Sequence, residues 1–403
     1  MDLTTFHALR TAEGQRCLTE AIAHTATDAT ALTVSTALRA RYPTELVAAA
    51  ITQALLRARA ATKFGADAAR MHFTAEGLEQ ATGSTVATHH AARYPIYPVP
   101  SCIADLCCGI GGDLRALAAA HAVLAVDRDP LTAAIAEANV ESLDLAHRVT
   151  VRCADVTTLD LTGYDVAFLD PARRANGQRV FDARHYQPPW SFIETLVARV
   201  GNVGVKVAPG IPHHLVPTDV EAEWVSVHGD VKEAALWFGA LRTGGIARRA
   251  TLLPSGDTLA DTHREDAIPP SVGSPRRYLY EPDGAVIRAG LVGAVAARVD
   301  GTLLDPTIAY ITSDAYVDTP FAHAWAITDV MPFNLKRLRA YLKERGIGSV
   351  VIKKRGSPLD PDTLARDLRL AGPARATLFL THVAGVHHVV VAGQREAHRG
   401  HEG

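Results

Sequence analysis

The segment Ile103–Gly112, Ile-Ala-Asp-Leu-Cys-Cys-Gly-Ile-Gly-Gly, constrains the fold of this chain more than any other. An apolar run breaks into a glycine-rich turn and reopens as an apolar-periodic helix, the pattern of a strand, a tight loop and a helix facing a nucleotide. Glycine removes the Cβ from that contact, so backbone and ligand approach closely. A dinucleotide fingerprint needs a third glycine three residues after Gly111, where this chain has Leu114. Asp113 falls at the start of the helix, where a pyrophosphate would dock and be repelled by the carboxylate. A cofactor without phosphate meets no such opposition. The loop therefore suits S-adenosylmethionine better than NAD.

The following strands carry acids at their ends. Ala122–Val126 has the length and composition of a buried parallel strand and runs into Asp127, placed to accept hydrogen bonds from both ribose hydroxyls. After a helix over Leu131–Leu143, the strand Val149–Cys153 leads to Asp155, suited to an adenine amino group. A fourth strand, Asp165–Leu169, ends in Asp170-Pro171-Ala172-Arg173. The alternative is an unrelated doubly wound domain whose acids cap helices, but four acids at successive strand ends outweigh a lone glycine motif.

Asp105 to Gly112, Asp127, Asp155 and Asp170-Pro171 resemble motifs I to IV of the class I S-adenosylmethionine-dependent methyltransferases. More narrowly, the chain resembles the bacterial methyltransferases with a C-terminal THUMP-like domain, relatives of the RNA cap trimethylguanosine synthases. That closer likeness rests on Phe73–Thr82, on Asp170-Pro171-Ala172-Arg173-Arg174, and on Arg179-Val180-Phe181-Asp182 with Tyr186 to Phe192. It implies an α/β fold: a Rossmann-like methyltransferase sheet, an N-terminal helical domain and a C-terminal α/β THUMP-like domain. It also implies Gly109, Gly111, Asp127 and Asp155 as cofactor contacts, Asp105 near the cofactor's cationic amino acid end, and Thr82 at its carboxylate. In amino-group methyltransferases of this fold, the strand-end acid and the proline carbonyl hydrogen-bond the exocyclic NH₂ in line with the methyl. Asp170 and Pro171 take those catalytic roles here. Guanine N2 of RNA is the first acceptor the resemblance implies, adenine N6 the next, with tRNA or rRNA as the partner.

The chain departs from the common Pro-Pro-aromatic continuation, having Ala172 and Arg173 in its place. A stacking face must then come from Phe181, Tyr186 or Trp190, the last being equally readable as a core anchor. Asp-Pro-Ala-Arg also resembles RNA uracil-C5 methyltransferases, which need a cysteine nucleophile. Every cysteine here lies at or before Cys153, and the fifth strand continues Lys206-Val207-Ala208-Pro209-Gly210 without a thiol, so nitrogen is the preferred acceptor. Between Arg173 and Trp190, arginines 173, 174, 179 and 184 alternate with aromatics, and Asp182 is the acid among them. Arginine forks bind phosphate while aromatic faces stack unpaired bases. Arg173, Arg174 and Trp190 are thus candidate RNA contacts, against a merely solvated loop. Lys353-Lys354-Arg355 and Arg57, Arg59, Lys63 and Arg70 are candidate extensions of that basic track.

Composition excludes more than it identifies. A net charge of −2 over 403 residues gives no global nucleic-acid signature. Five cysteines argue against a disulfide framework and for a cytoplasmic protein. The 18 histidines show no zinc spacing, so no metal is expected. Met1-Asp2-Leu3 does not begin a signal peptide, and Ala289–Val299 is too short for a membrane span. The expected domains are residues 1–98, helical, 99–255, the methyltransferase, and 275–395, THUMP-like, with Ser255–Pro275 as linker. The competing readings are a DNA or small-molecule methyltransferase, and a non-catalytic RNA-binding protein on the same scaffold.

Overall fold

Parallel strands need crossover connections, and the alternation of short apolar runs with helical stretches after residue 101 supplies both. The computed structural model describes residues 1–24, 28–94, 102–172, 174–175, 178–179, 186–262 and 270–396. By internal contacts the chain forms two units, Met1–Glu221 with Ala234–Gly244, and Ala222–Glu233 with Gly245–Gly403.

In the first unit, β1 (Cys102–Leu106) pairs in parallel with β2 (Ala122–Asp127) on one side and β4 (Val166–Leu169) on the other. β3 (Val149–Cys153) continues outside β2, and β7 (Asn202–Val207) outside β4. The two-residue strands β5 (Arg174–Ala175) and β6 (Gln178–Arg179) form an antiparallel pair. Ala234–Trp237, the end of β9 (Asp230–Trp237), runs antiparallel on β7. The strand order reverses between β1 and β4, and such a switch point opens a crevice at the carboxyl ends of the strands. Ile103, Val123, Ala125, Phe168 and Trp237 form the core beneath it.

Among the described residues, six α-helices precede the sheet: α1 (Leu3–Arg10), α2 (Ala12–His24), α3 (Asp28–Arg39), α4 (Thr44–Phe64), α5 (Ala75–Gln80) and α6 (Ser84–Ala91). Their Ala- and Leu-rich faces make one core of their own around Leu18, Leu46 and Val47. A second core joins them to the elements around the sheet: Phe6, Phe64, Phe73 and Leu78 pack with Ile110 of the loop after β1 and with Ile135 and Ala138 of the helix Pro130–Ser142. Burying each phenylalanine contributes roughly 1.5–3 kcal/mol, so helices and sheet belong to one compact body although composition separates them. The crossover helices are α7 (Leu114–Leu117), α8 (Pro130–Ser142) and α9 (Trp190–Val200). Asp129 caps α8 by accepting the Thr132 N–H, and Pro130 presets its first turn.

In the second unit, β8 (Glu221–Val227) is parallel to β10 (Arg248–Leu253), which forms an antiparallel pair with β11 (Asp257–Asp261). The expected linker from Ser255 therefore begins with a strand. Its alternating exposure and polar residues hid an edge strand as loop. β9 starts at Asp230 and ends at Trp237, ahead of a 3₁₀ turn over Gly239–Leu241.

A seven-stranded, mostly antiparallel sheet follows, with β12 (Tyr278–Pro282), β13 (Thr302–Asp305), β14 (Ile308–Ser313), β15 (Ala322–Pro332), β16 (Ile347–Lys354), β17 (Ala374–Val383) and β18 (Val386–Arg395) in the order β13-β14-β12-β15-β18-β17-β16. Helices α10 (Gly284–Arg288), α11 (Val292–Arg298), α12 (Leu335–Glu344) and α13 (Pro361–Leu368) belong to this unit. Leu338, Leu342, Leu364 and Leu368 of α12 and α13 pack on Leu378 and Val391 of the sheet.

Candidate active site

The loop after β1 is held open by backbone geometry. Cys107, Gly109 and Gly111 have φ of 62°, 57° and 92°, and a Cβ at Gly109 would meet nothing within 4 Å. At Gly112 the opposite constraint holds: a Cβ there would come within 2.8 Å of the Thr82 backbone nitrogen. Asn139 of α8, buried, donates to the carbonyls of Ile110 (2.8 Å) and His72 (3.1 Å) and accepts the His72 N–H. One satisfied amide thus ties the loop to the segment before α5.

Asp127 ends β2 with both carboxylate oxygens engaged, one accepting the Gly109 N–H and the other the Asp129 N–H, each at 3.0 Å. Burial pushes its carboxyl above the usual range in spite of those bonds. Asp155 is exposed and accepts the N–H and hydroxyl of Thr157, which hold its carboxyl below the ordinary value. Asp105 is 1% exposed, and its Oδ2 has no hydrogen-bond partner. Burial raises its carboxyl well above the usual range; Asp113, Asp170 and Asp127 raise it further, and Lys206 opposes them.

Asp170 follows β4 with its N–H donating to Leu106 at 3.1 Å, which sets it beside the end of β1. Its Oδ2 accepts from Lys206 Nζ at 2.7 Å. Lys206, 3% exposed on β7, also donates to Thr82 Oγ1 at 2.8 Å, and that hydroxyl donates to Asp113. Asp113 in turn meets His90 Nδ1 at 2.8 Å. Burial would push the Asp113 carboxyl up, yet His90, Lys206 and Thr82 hold it below the ordinary value. The carboxylate expected to face a docking pyrophosphate is therefore turned to buried partners, and makes no cap bond to α7. Thr82 is also buried and engaged on both sides of its hydroxyl. Lys206 and His90 were invisible as site residues in the sequence, because their partners lie 124 and 23 positions away from them.

Pro171 is buried, and Ala172 exchanges two backbone hydrogen bonds with Gln187. Tyr186 is 2% exposed, and its hydroxyl accepts the Ala208 N–H at 3.0 Å, which removes it as a stacking face. Trp190 opens α9 half-buried. Arg174 lies in β5 opposite Arg179. Arg173, Phe181 and Arg184 lie outside the described residues.

All of the candidate extensions of the basic track except the exposed Arg59 also hold bonds within the fold. Arg57 donates to the carbonyls of Met71 and Arg70, Lys63 to those of Leu78 and Glu79, and Arg70 pairs with Asp144. Lys353 and Arg355 both meet Glu281, and Lys354 donates to the Leu359 carbonyl. All five cysteines are free thiols, with Cys107 and Cys108 pushed up by burial away from the reactive thiolate. Among the described residues, no helix is long and apolar enough to cross a membrane, and no group of three or more side chains is arranged for a metal.

Three family descriptions match separate stretches: a domain of unknown function over residues 2–60, RNA cap guanine-N2 methyltransferase over 100–194, and THUMP domain-like over 322–394. The crystal structure of a protein from Porphyromonas gingivalis W83 superimposes with a TM-score of 0.71 at 22% identity, covering 91% of this chain and 98% of that one. That likeness carries the fold. In two strains of Mycobacterium tuberculosis, an uncharacterized S-adenosylmethionine-dependent methyltransferase is 36% identical over 344 residues, 82% of this chain and 91% of the relative. At that identity and coverage, with the strand-end acids and open glycine loop in place, the chain belongs to the S-adenosylmethionine-dependent methyltransferases.

Proposed function

We propose that this enzyme transfers a methyl group to a base nitrogen of RNA, a tRNA or rRNA, with guanine N2 as the first acceptor to test. The observation that carries the reading is Asp170-Pro171 at the switch point, beside the end of β1 and ahead of a buried proline. The matches to a cap guanine-N2 methyltransferase family and a THUMP domain-like family support RNA as the substrate class. Two features fit the cofactor: the orphaned, buried Oδ2 of Asp105 and the open space at Gly109.

Asp105 would take the cofactor's amino group, Gly109 and Gly111 the approach of backbone to nucleoside, Asp127 the ribose and Asp155 the adenine; Thr82 would meet the carboxylate end only by turning its hydroxyl hydrogen away from Asp113. When bound, the cofactor supplies an electrophilic methyl group. The acceptor NH₂ donates to the Asp170 carboxylate and the Pro171 carbonyl, which leaves its lone pair in line with that methyl. Asp170 would accept the proton that the methylated nitrogen loses and pass it to water. Arg173, Arg174 and Trp190 are the candidate contacts to phosphate and base. The expected compartment is the cytoplasm, in keeping with five free thiols.

Labelled S-adenosylmethionine should transfer its methyl group to total RNA, and digestion should recover the label as N2-methylguanosine. Asp170→Ala should lose about 10²-fold or more in kcat with cofactor affinity retained. Label appearing in DNA or in a metabolite extract, and not in RNA, would overturn the reading.

A further inference from the structure

Lys206 stands in a strand that is otherwise apolar and buried, Val203-Gly204-Val205-Lys206-Val207. Burying an ammonium costs several kcal/mol, and even a well-made buried pair returns little net stability compared with an apolar residue. The fold nevertheless gives this ammonium two partners from separate elements. Asp170 after β4 lies at 2.7 Å, and Thr82, between α5 and α6, at 2.8 Å with its own hydrogen bond to Asp113. The ammonium is thereby held in one direction.

The surroundings of Asp170 are acidic. Asp105, in β1, feels the Asp170 carboxylate together with those of Asp113 and Asp127, so the four acids share one field. Without a cation, those neighbours would favour the protonated form of Asp170. A protonated carboxyl could not accept the proton released by a methylated nitrogen. We propose that Lys206 is a positioning residue for methyl transfer, whose ammonium fixes the Asp170 carboxylate, ionised, in the orientation that receives the acceptor's amino group. Lys206 keeps its three protons throughout, and the proton leaving nitrogen goes to Asp170 and then to water. The inference rests on the role given to Asp170 under the proposed function.

The test compares wild type, Lys206→Met, Lys206→Arg, Asp170→Asn and the Lys206→Met/Asp170→Asn double variant. Each is assayed for cofactor affinity by calorimetry and for kcat and KM across pH. Lys206→Met should keep cofactor affinity, lose roughly 10²-fold in kcat and change acceptor KM far less. Its acidic limb in kcat should move to higher pH by about one unit or more, as expected when an opposite charge is withdrawn from a carboxylate. Lys206→Arg should recover part of the rate, and the double variant should be no slower than Asp170→Asn alone. If Lys206→Met unfolds, Lys206→Gln, which keeps a donor without the charge, should show the same pH shift.

Wild-type kcat and pH profile in a folded charge-removed variant would overturn the proposal. So would a double variant slowed by the full product of the single effects. The acceptor pool used is whichever of total RNA, total DNA or metabolite extract the wild type labels. Labelling outside RNA therefore sinks the RNA reading and leaves the Lys206 test standing, while labelling of no pool by the wild type counts against both.

Discussion

In the first unit Asp105, Asp113, Asp127 and Asp170 converge at the ends of β1, β2 and β4 with Lys206 among them, and Asp105 keeps an unpartnered, buried oxygen. In the second unit Glu281 of β12 meets Lys353 and Arg355 at the end of β16, and those cations lie over the rings of Trp325 (5.1 Å) and Tyr310 (5.5 Å). The first cluster leaves a buried carboxyl oxygen without a partner, while the second pairs its charges with one another. Burial of an uncompensated carboxylate costs free energy that a fold retains only where something else will supply the partner. A cationic cofactor amino group is such a partner. In the second cluster the opposite charges meet one another, so although Arg355 Nε and the Tyr310 hydroxyl are buried without a hydrogen-bond partner, no charge there lacks its counterion, and we read it as a structural clasp.

The largest effect that could break this contrast is at Asp105. Its carboxyl is raised well above 3.8 in the cofactor-free fold, chiefly by burial. The folded state therefore binds a proton more tightly than the unfolded chain does. Stability from this group falls as pH rises from the ordinary carboxyl value up to the raised one, and is level beyond it. The neighbours in that titration are Asp113, Asp127, Asp170 and Lys206, with Tyr94, Cys107 and Cys108 packed close by. A cofactor cation docking at Asp105 must draw the proton off, so affinity should climb with pH through the same window and binding should release a proton. Calorimetry in buffers of different ionisation enthalpy reads that proton directly. Asp105→Asn should abolish the release, weaken cofactor binding by about 2–5 kcal/mol, and flatten the pH dependence of stability. Unchanged affinity would show the first cluster to be structural after all.

A smaller effect sharpens the comparison at Asp127, which already holds the loop through the Gly109 N–H. Asp127→Ala should weaken cofactor binding by about 1.5–3 kcal/mol, the range for a hydrogen bond to a charged group. Faster hydrogen exchange at Gly109 in the cofactor-free variant would separate loosening of the loop from loss of the ribose contact. An affinity equal to wild type in a folded protein would remove Asp127 from the ribose role.

How much of this was legible differs between backbone and side chains. The strands β1 to β4 fall within a residue of where the apolar runs put them, and Asp129-Pro130 marks the start of α8. These are local signals, set by burial on both faces and by capping. Lys206 carried no such signal: a lone lysine in a valine-rich strand reads as an interruption until Asp170 and Thr82 are brought to it by the fold. Asp113 was misread for the same reason, since position at a helix start says nothing of a carboxylate already held by Thr82 and His90. The basic residues Arg57, Lys63 and Lys353 look like a nucleic-acid track by composition, yet their bonds go to carbonyls and to Glu281. Charge is countable in a sequence, whereas its compensation is a tertiary property.

The smallest effect is expected in the second cluster, and it is the control for the rest. Glu281 is 14% exposed in its side chain, while Lys353 and Arg355 are about a third exposed, at 33% and 32%. Solvent screens the cations, and each retains a ring to lie against when the carboxylate is removed. Glu281→Gln should therefore cost no more than about 1 kcal/mol of stability, the upper range for an exposed pair. Added salt should shrink the difference further. Cofactor affinity and its pH dependence should equal wild type, because the charges of this clasp are already paired with one another. Denaturant melts at low and high salt, paired with cofactor titrations, read both quantities. A loss of several kcal/mol would mean that the cations are more deeply desolvated than their exposure implies. A change in cofactor binding would mean that the two clusters are coupled, and the contrast between a waiting charge and a closed one would fail.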